Sequence, residues 1–559
     1  MTPSRPFDGW LDRWFQPLLL LGVLLNLTGL GTPLLEPDAA LYGTVARNMA
    51  ERGDFVDLLS QGRDWLDKPH FPFWMTAISF RLFGVNAPAY KLPGLVFCGV
   101  GGVYTYLFAL RFYHRSVARL SVLILITAQH LILSNNDVRA EPFLLGLLMG
   151  SLYHFTRAQE HRFSLHLLWG ALWAACAVMT KGPFVLLTLG GGLAFHWVRH
   201  RQWSQFWHPR WWLGLLGVAL FTLPELYCLH QQFDLHPEKA VFGQTGVSGI
   251  RFFFWDSQFG RFFNSGPIRG TGHPLFFLHT TLWAFLPWSP WLFAAVPHAL
   301  RRPTQPTQEP REDYTLGAAV LTFLLFSLSR FQLPHYTNIL FPFFSVLTAA
   351  WVYRLPGPTA RWATRIQWLV LIGMFLSPPV LLWTLAPTGT VSGLLWWGVS
   401  VGLTWRCFPR ADLPDTVGKS FGACVALNVL LNLLFYPALL RYQAGEQAAS
   451  FLNEQPPRPT GLYGLNSFSL EFYARAPVHR WSLPDLQART RSEPVYVFLD
   501  ARAVPELTEA GLSVHPLRTF ANFRVSRLTG RFLNPATRAT VVREVLVAEV
   551  TGPREVSGP

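Results

Sequence analysis

The chain has 559 residues, of which 50% are apolar and only 14% charged, whereas soluble domains carry about 25% charged residues. That deficit points to a membrane protein. Aromatic content of 15% excludes a disordered chain, and five cysteines, four of them (Cys98, Cys176, Cys228 and Cys424) inside apolar runs, exclude a disulfide scaffold. The formal charge of +14 does not indicate nucleic acid, because the arginines sit between apolar runs rather than on one patch and read as topology signals.

A bilayer-spanning helix needs about 20 mostly apolar residues. About thirteen segments qualify, near 15–31, 88–110, 117–134, 140–156, 164–179, 182–198, 211–230, 275–299, 314–329, 335–353, 366–385, 391–405 and 420–437. The first has no small-residue cleavage site after it, so it reads as a span rather than a signal peptide. Alternate connections hold Arg111, Arg115 and Arg119; Arg157 and Arg162; Arg199, Arg201 and Arg210; Arg301, Arg302 and Arg311; Arg354, Arg361 and Arg365; and Arg406, Arg410 and Lys419; the positive-inside rule makes that set cytoplasmic, together with the N-terminus. The other set holds two long loops, about 32–87 and 231–274, and faces outward. An odd number of spans puts the tail outside as well. Residues 1–438 then form a transmembrane domain, and residues 439–559, with runs such as PVYVFLDARAV and TGLYGLNSF between turn residues, a small soluble α/β domain.

In the first long loop, Tyr42, Val45, Ala46 and Met49 follow Asp38 at intervals of three and four, the spacing of an amphipathic helix lying in the membrane interface. A second such helix is expected after Lys68 and Pro69, with Phe73, Trp74, Ala77, Ile78 and Phe80 on its apolar face. An acid just after a first span is costly unless it faces water or a partner, which marks Asp38 as functional, as a helix N-cap, or as both.

The short outer connections are nearly bare of cations, yet Arg139 in SNNDVRAEPF, Lys181 in MTKGPF and Arg330 in SLSRFQLPHY remain. Either helix-end side chains snorkel there, or the three share an anionic partner such as a lipid phosphate at headgroup depth. Glu141 pairs with Arg139 or acts as a second carboxylate. The loop 231–274 is rich in aromatics and Gly and reads as a lid over the substrate or as a membrane-hugging segment. Near its end, His273 and His279 lack a tight His and carboxylate spacing, so no metal is expected.

Taken together, Asp38 and Tyr42 after span one, the DKPHFPFW segment with Lys68, the RAEPF turn, the TKGP tetrapeptide and the LPHYTNILFP segment resemble the polyprenyl-phosphate-dependent GT-C type membrane glycosyltransferases. Within them, the chain is most similar to the group holding the aminoarabinose transferases that modify lipid A and the bacterial relatives of protein O-mannosyltransferases. The similarity covers about 30–355 and the layout of thirteen spans and a soluble outer tail. It departs after Asp38, where the family commonly carries Glu next and Arg before the Tyr, and this chain has Ala39 and Leu41.

The resemblance implies a GT-C fold in a bacterial inner membrane. It implies transfer of a sugar from a polyisoprenyl phosphate, with inversion, to a lipid, protein or glycan acceptor outside the cytoplasm. The leaving phosphate stays anionic and needs cations; Lys68, Arg139, Lys181 and Arg330 are the candidates, with His335 and Tyr336 as hydrogen-bond donors beside them and Tyr42 as a further substrate contact. The acceptor hydroxyl needs a carboxylate to take its proton: Asp38 first, Glu141 second. No cofactor, no metal and no nucleic-acid partner are expected, and the protein is expected to be a monomer among membrane lipids. The rival reading, a transporter or flippase of lipid-linked sugars, calls for mid-bilayer charges and an internal repeat; here the distinctive charges gather at one face.

Overall fold

The computed structural model describes residues 6–160, 164–301, 312–385 and 387–552. All thirteen expected segments are helical there, several as two helices in succession. The first is α1 (Pro6–Leu27), followed in the first loop by α2 (Asp38–Arg52) and α3 (Phe71–Phe83), with a short antiparallel hairpin, β1 (Leu59–Ser60) and β2 (Arg63–Asp64), between them. Next come α4 (Ala87–Phe112), α5 (Arg115–Ile126), α6 (Gln129–Asn136), α7 (Ala140–Ala158), α8 (Leu165–Lys181) and α9 (Val185–Arg199).

By length and apolarity, five helices of the described residues reach bilayer-spanning dimensions, and six when α5 and α6, bent by 52°, are taken as one. Large apolar side chains face outward on the late helices, among them Leu369, Trp383 and Val391, each at least 70% exposed. A folded surface tolerates such a belt when hydrocarbon surrounds it. The chain is a multi-pass membrane protein.

The apolar spacing in the first loop becomes packing. On α2, Tyr42, Val45, Ala46 and Met49 are buried, and on α3 so are Phe73, Ala77 and Phe80. Ile78 departs from the expected face and is 44% exposed, because at about 100° per residue it stands roughly 140° around α3 from Phe73.

Two close approaches place the helix ends that carry charge. α4 crosses α7 at glycines: a Cβ on Gly146 would stand 2.5 Å from the Phe97 carbonyl oxygen, and one on Gly101 would stand 3.0 Å from the Leu145 backbone. Small residues let membrane helices meet backbone to backbone, and this contact sets where the start of α7 lies. At the end of α8, Gly182 has φ +96° and a Cβ there would meet Gln258 at 2.1 Å, so the Gly of the TKGP segment is required both by the turn and by the neighbouring loop.

Beyond the bundle, β3 (Thr460–Tyr463), β4 (Val478–Arg480), β5 (Val495–Asp500), β6 (Ser513–Asn522) and β7 (Arg543–Thr551) form a mixed sheet in the order β4-β3-β5-β7-β6. β3 runs parallel to β4 and β5, and β7 antiparallel to β5 and β6. The run VYVFL of β5 is buried throughout, as expected of a central strand covered on both faces. The cysteines are all unpaired.

Candidate functional site

Asp38 is the first residue of α2, and the N-cap position is Pro37. The carboxylate leaves the helix and meets Arg139, with Oδ2 2.6 Å from Nη1. Burial pushes the Asp38 carboxyl above its ordinary value, against the pull of Arg139. Arg139 precedes α7 and is held from a second side by Asp137 at 2.7 Å; it also meets Nδ1 of His335 at 3.1 Å.

The same region gathers a second set of charges. Glu141, in the first turn of α7, pairs with Lys181 at the end of α8. Nε2 of His335 lies 3.9 Å from Glu141, and the Lys181 ammonium sits 4.0 Å over the Tyr336 ring. Lys68 pairs with Asp67 at 2.7 Å, and Asp67 also pairs with Arg261 from the second long loop. Although burial opposes it, those two cations hold the Asp67 carboxyl down to about 2. Burial and the Arg261 charge pull the Lys68 ammonium below its usual value.

These groups surround a polar cavity of about 120 Å³ lined by Asp38, Tyr42, Lys68, Arg139, Glu141, Lys181, Arg261, His335 and Tyr336. A second cavity of about 90 Å³ adjoins it, sharing Lys68, Lys181, Arg261 and Tyr336 and walled by Phe184, Val185, Leu325, Phe326 and Ile339. The charged end and the greasy end of the space therefore meet at the same cations.

Eight of the nine residues singled out in the sequence line the polar cavity. Arg330 does not: its side chain is exposed, and its backbone N–H donates to the Phe262 carbonyl at 3.1 Å. Arg261 occupies the position of a further cation. The sequence held a signal for it, a lone cation in the QFGRFF run of the long loop. That loop thus turns Arg261 inward, while Trp255 and Phe263, 56% and 67% exposed, face outward. Tyr42 is a wall rather than an exposed donor; its ring packs against Trp65 and Phe73 at 5.9 and 5.6 Å.

Two residues after Lys68, His70 forms a fully buried pair with Glu225. Nδ1 lies 3.0 Å from the Glu225 carboxylate, and Nε2 lies 2.8 Å from the Val56 carbonyl oxygen, which can only accept. Both ring nitrogens thus face acceptors, the arrangement of an imidazolium. Burial opposes the charge, but Glu225 and the Val56 carbonyl raise the His70 value above 6.5.

Among the described residues, a His and carboxylate group with ligand-type spacing, His196, His200 and Asp313, lies at the far end of α9. There the Asp313 N–H donates to Nδ1 of His196 at 3.2 Å, and Asp313 Oδ2 meets His200 at 2.9 Å and Arg199 at 3.4 Å. With Nδ1 accepting, the His196 proton sits on Nε2. The group clamps α9 to the start of the helix Tyr314–Leu328.

Residues 67–228 match the family model described as dolichyl-phosphate-mannose-protein mannosyltransferase. The undecaprenyl phosphate-alpha-4-amino-4-deoxy-L-arabinose arabinosyl transferase of Pseudomonas paraeruginosa is 27% identical over 332 residues, covering 58% of this chain and 57% of that protein. The protein of the same description from Edwardsiella ictaluri is 26% identical over 401 residues, 70% of this chain and 68% of its own length. The crystal structure of ArnT from Cupriavidus metallidurans bound to undecaprenyl phosphate superimposes with TM-score 0.71 at 19% identity, over 99% of both chains. Fold and sequence agree with the motifs: the chain is similar to the GT-C type membrane glycosyltransferases. At the two first-loop positions where that family commonly carries charge, Ala39 is fully buried and Leu41 half-buried.

Proposed function

We propose that this GT-C relative transfers a sugar from a polyisoprenyl phosphate, of the undecaprenyl type named for its relatives, to an acceptor hydroxyl or phosphate at the membrane rim where α2 and α3 lie. The observation that carries this reading is that the polar cavity adjoins an apolar one, the two sharing Lys68, Lys181, Arg261 and Tyr336 in their walls. A lipid phosphate has that same division, an anionic head on a hydrocarbon chain.

In this reading the phosphate rests between Lys68 and Arg261, with Lys181 and the Tyr336 hydroxyl beside them. Asp67 holds the first two cations together although they repel. Asp38, at the other end of the cavity, takes the proton from the acceptor oxygen. That oxygen bonds to the anomeric carbon from the face opposite the phosphate, the bond from carbon to phosphate oxygen breaks, and its electron pair stays on the phosphate. Inversion follows. Raising the basicity of Asp38 by burial improves proton transfer from a hydroxyl, while Arg139 keeps the carboxylate aimed into the cavity. Glu141 acts through Lys181 and His335, whose places it holds.

The arginine distribution supports thirteen spans with the cavity and the C-terminal domain on the extracytoplasmic side of a bacterial inner membrane. The acceptor class, whether glycolipid, protein or glycan, is open to the same chemistry. The test is transfer of labelled sugar from undecaprenyl-phosphate donors by the purified chain in liposomes. Transfer that requires the polyprenyl phosphate and is lost in Asp38→Asn supports the reading. Movement of intact donor across the bilayer without transfer would replace it with the flippase reading.

A further inference from the structure

The turn that delivers Asp38 is held by the C-terminal domain. Glu36 stands two residues before Asp38, and its Oε1 accepts hydrogen bonds from the Ser467 hydroxyl at 2.7 Å, the Ser469 hydroxyl at 2.5 Å and the Ser469 N–H at 2.6 Å. The Glu36 N–H donates to Oε1 of Gln443 at 2.8 Å, and Nε2 of Gln443 donates to the Leu34 carbonyl at 2.8 Å. The Leu34 N–H in turn donates to the Tyr473 hydroxyl at 2.9 Å. Backbone on both sides of Glu36 is thereby tied to the tail. The supports are themselves buried, with Gln443, Ser467 and Ser469 each at most 3% exposed.

The same short helix, Phe468–Tyr473, reaches two further parts of the loop. Arg47 of α2 donates to the carbonyls of Glu471, Phe472 and Ala474 at 3.0, 3.0 and 2.6 Å, a cation on the helix's last carbonyls. The Glu471 carboxylate accepts from the Gln61 N–H at 2.7 Å and the Ser60 hydroxyl at 3.2 Å, in the hairpin that leads to Asp67 and Lys68. One helix of the tail therefore grips the approach to the acid and, by separate side chains, the approach to the cations. Within the first loop itself, the position before Asp38 is a proline that offers α2 no side-chain cap.

We propose that the Phe468–Tyr473 helix is a positioning element of the active site, with Glu36 the residue that sets Asp38 and Glu471 the residue that sets the Asp67 and Lys68 approach. The proposal rests on Asp38 being the base and Lys68 a donor contact, as argued above. Displacement of a reacting group by about 1 Å can cost about 100-fold in rate. The two grips separate the two effects, and a role in folding alone would not.

The experiment is steady-state transfer by full-length variants in liposomes, with a melting curve for each. Glu36→Ala is expected to lower kcat by about 10- to 100-fold with the KM for the polyprenyl-phosphate donor unchanged, and Glu36→Gln, which keeps the accepting oxygen, to recover most of kcat. Glu471→Ala is expected to raise the donor KM about tenfold with the smaller effect on kcat. Should Glu36→Ala misfold, the pair Ser467→Ala and Ser469→Ala approaches the same contact from the tail and is expected to lower kcat alone. Unchanged kcat in folded Glu36→Ala or in the serine pair overturns the proposal, as does equal loss in Glu36→Ala and Glu36→Gln, or kcat and KM moving together in both Glu36 and Glu471 variants. A wild-type chain without transfer would instead overturn the functional reading.

Discussion

The carboxylate of Asp38 lies 2.6 Å from the guanidinium of Arg139, each standing at the start of a different helix. The pair joins the first loop to the start of α7 and fixes the direction in which Asp38 presents its lone pairs. Asp137, on the far side of Arg139, keeps the guanidinium in place when Asp38 is altered.

Asp38→Asn is therefore expected to remain folded and to retain binding of undecaprenyl phosphate, while losing transfer by about 10²- to 10⁴-fold, the usual share of a general base. Sugar transfer and a binding measurement on the same preparation check this. Retained activity would remove Asp38 from the proton transfer.

Arg261 is brought to the cavity by a loop rather than by the bundle, and it lines the polar and the apolar space alike. Losing one charge-assisted contact of about 1.5–3 kcal/mol predicts that Arg261→Ala weakens undecaprenyl phosphate binding by about 10- to 100-fold. Arg330→Ala, an exposed position, is expected to change it by less than about twofold. Fluorescence or scintillation titration of the lipid phosphate distinguishes the two.

Breaking the buried pair of His70 and Glu225 leaves a charge without a partner, which costs about 3–5 kcal/mol, so His70→Ala is expected to lower the melting temperature sharply. The folded value of His70 is raised above 6.5. Its contribution to stability is therefore complete below pH 6.5 and is lost as pH rises through the higher folded value. Melting curves from pH 6 upward should show this decline in the wild type and not in His70→Ala.

Glu471 has the same sign for a different reason. Burial lifts its carboxyl from 4.5 to about 7, against the hydrogen bonds from Gln61 and Ser60. The neutral form is favoured in the fold, so the stabilisation it carries is complete below pH 4.5 and is lost as pH rises to about 7. Glu471→Gln is expected to flatten the pH dependence of melting across that window. An identical slope in variant and wild type would contradict it.

Much of the architecture is legible in one dimension. Apolar runs of spanning length lie where helices form, because in hydrocarbon every backbone group must bond within its own segment. The spacing of Tyr42, Val45, Ala46 and Met49 gives the buried face of α2, because a side chain's direction on a helix depends only on its position along the turn. Cations at connections that topology leaves neutral mark Arg139 and Lys181, and both reach the cavity.

Pairing is another matter. Arg139 could have met Glu141, its near neighbour in sequence; it meets Asp38 and Asp137 instead, and Glu141 meets Lys181. Arg330 and Arg261 are alike as single cations in connecting segments, yet only Arg261 turns inward, bonded to Asp67. The Glu36 grip joins the first loop to a domain at the other end of the chain.

Charge type, helix periodicity and span length are local quantities, so the sequence by itself determined a helical membrane protein with acids and cations gathered at one rim. Which acid holds which cation depends on the crossing of α4 and α7 at their glycines, the turn at Gly182 and the docking of the tail. Those are contacts between distant segments, and their geometry exists only once the bundle has packed.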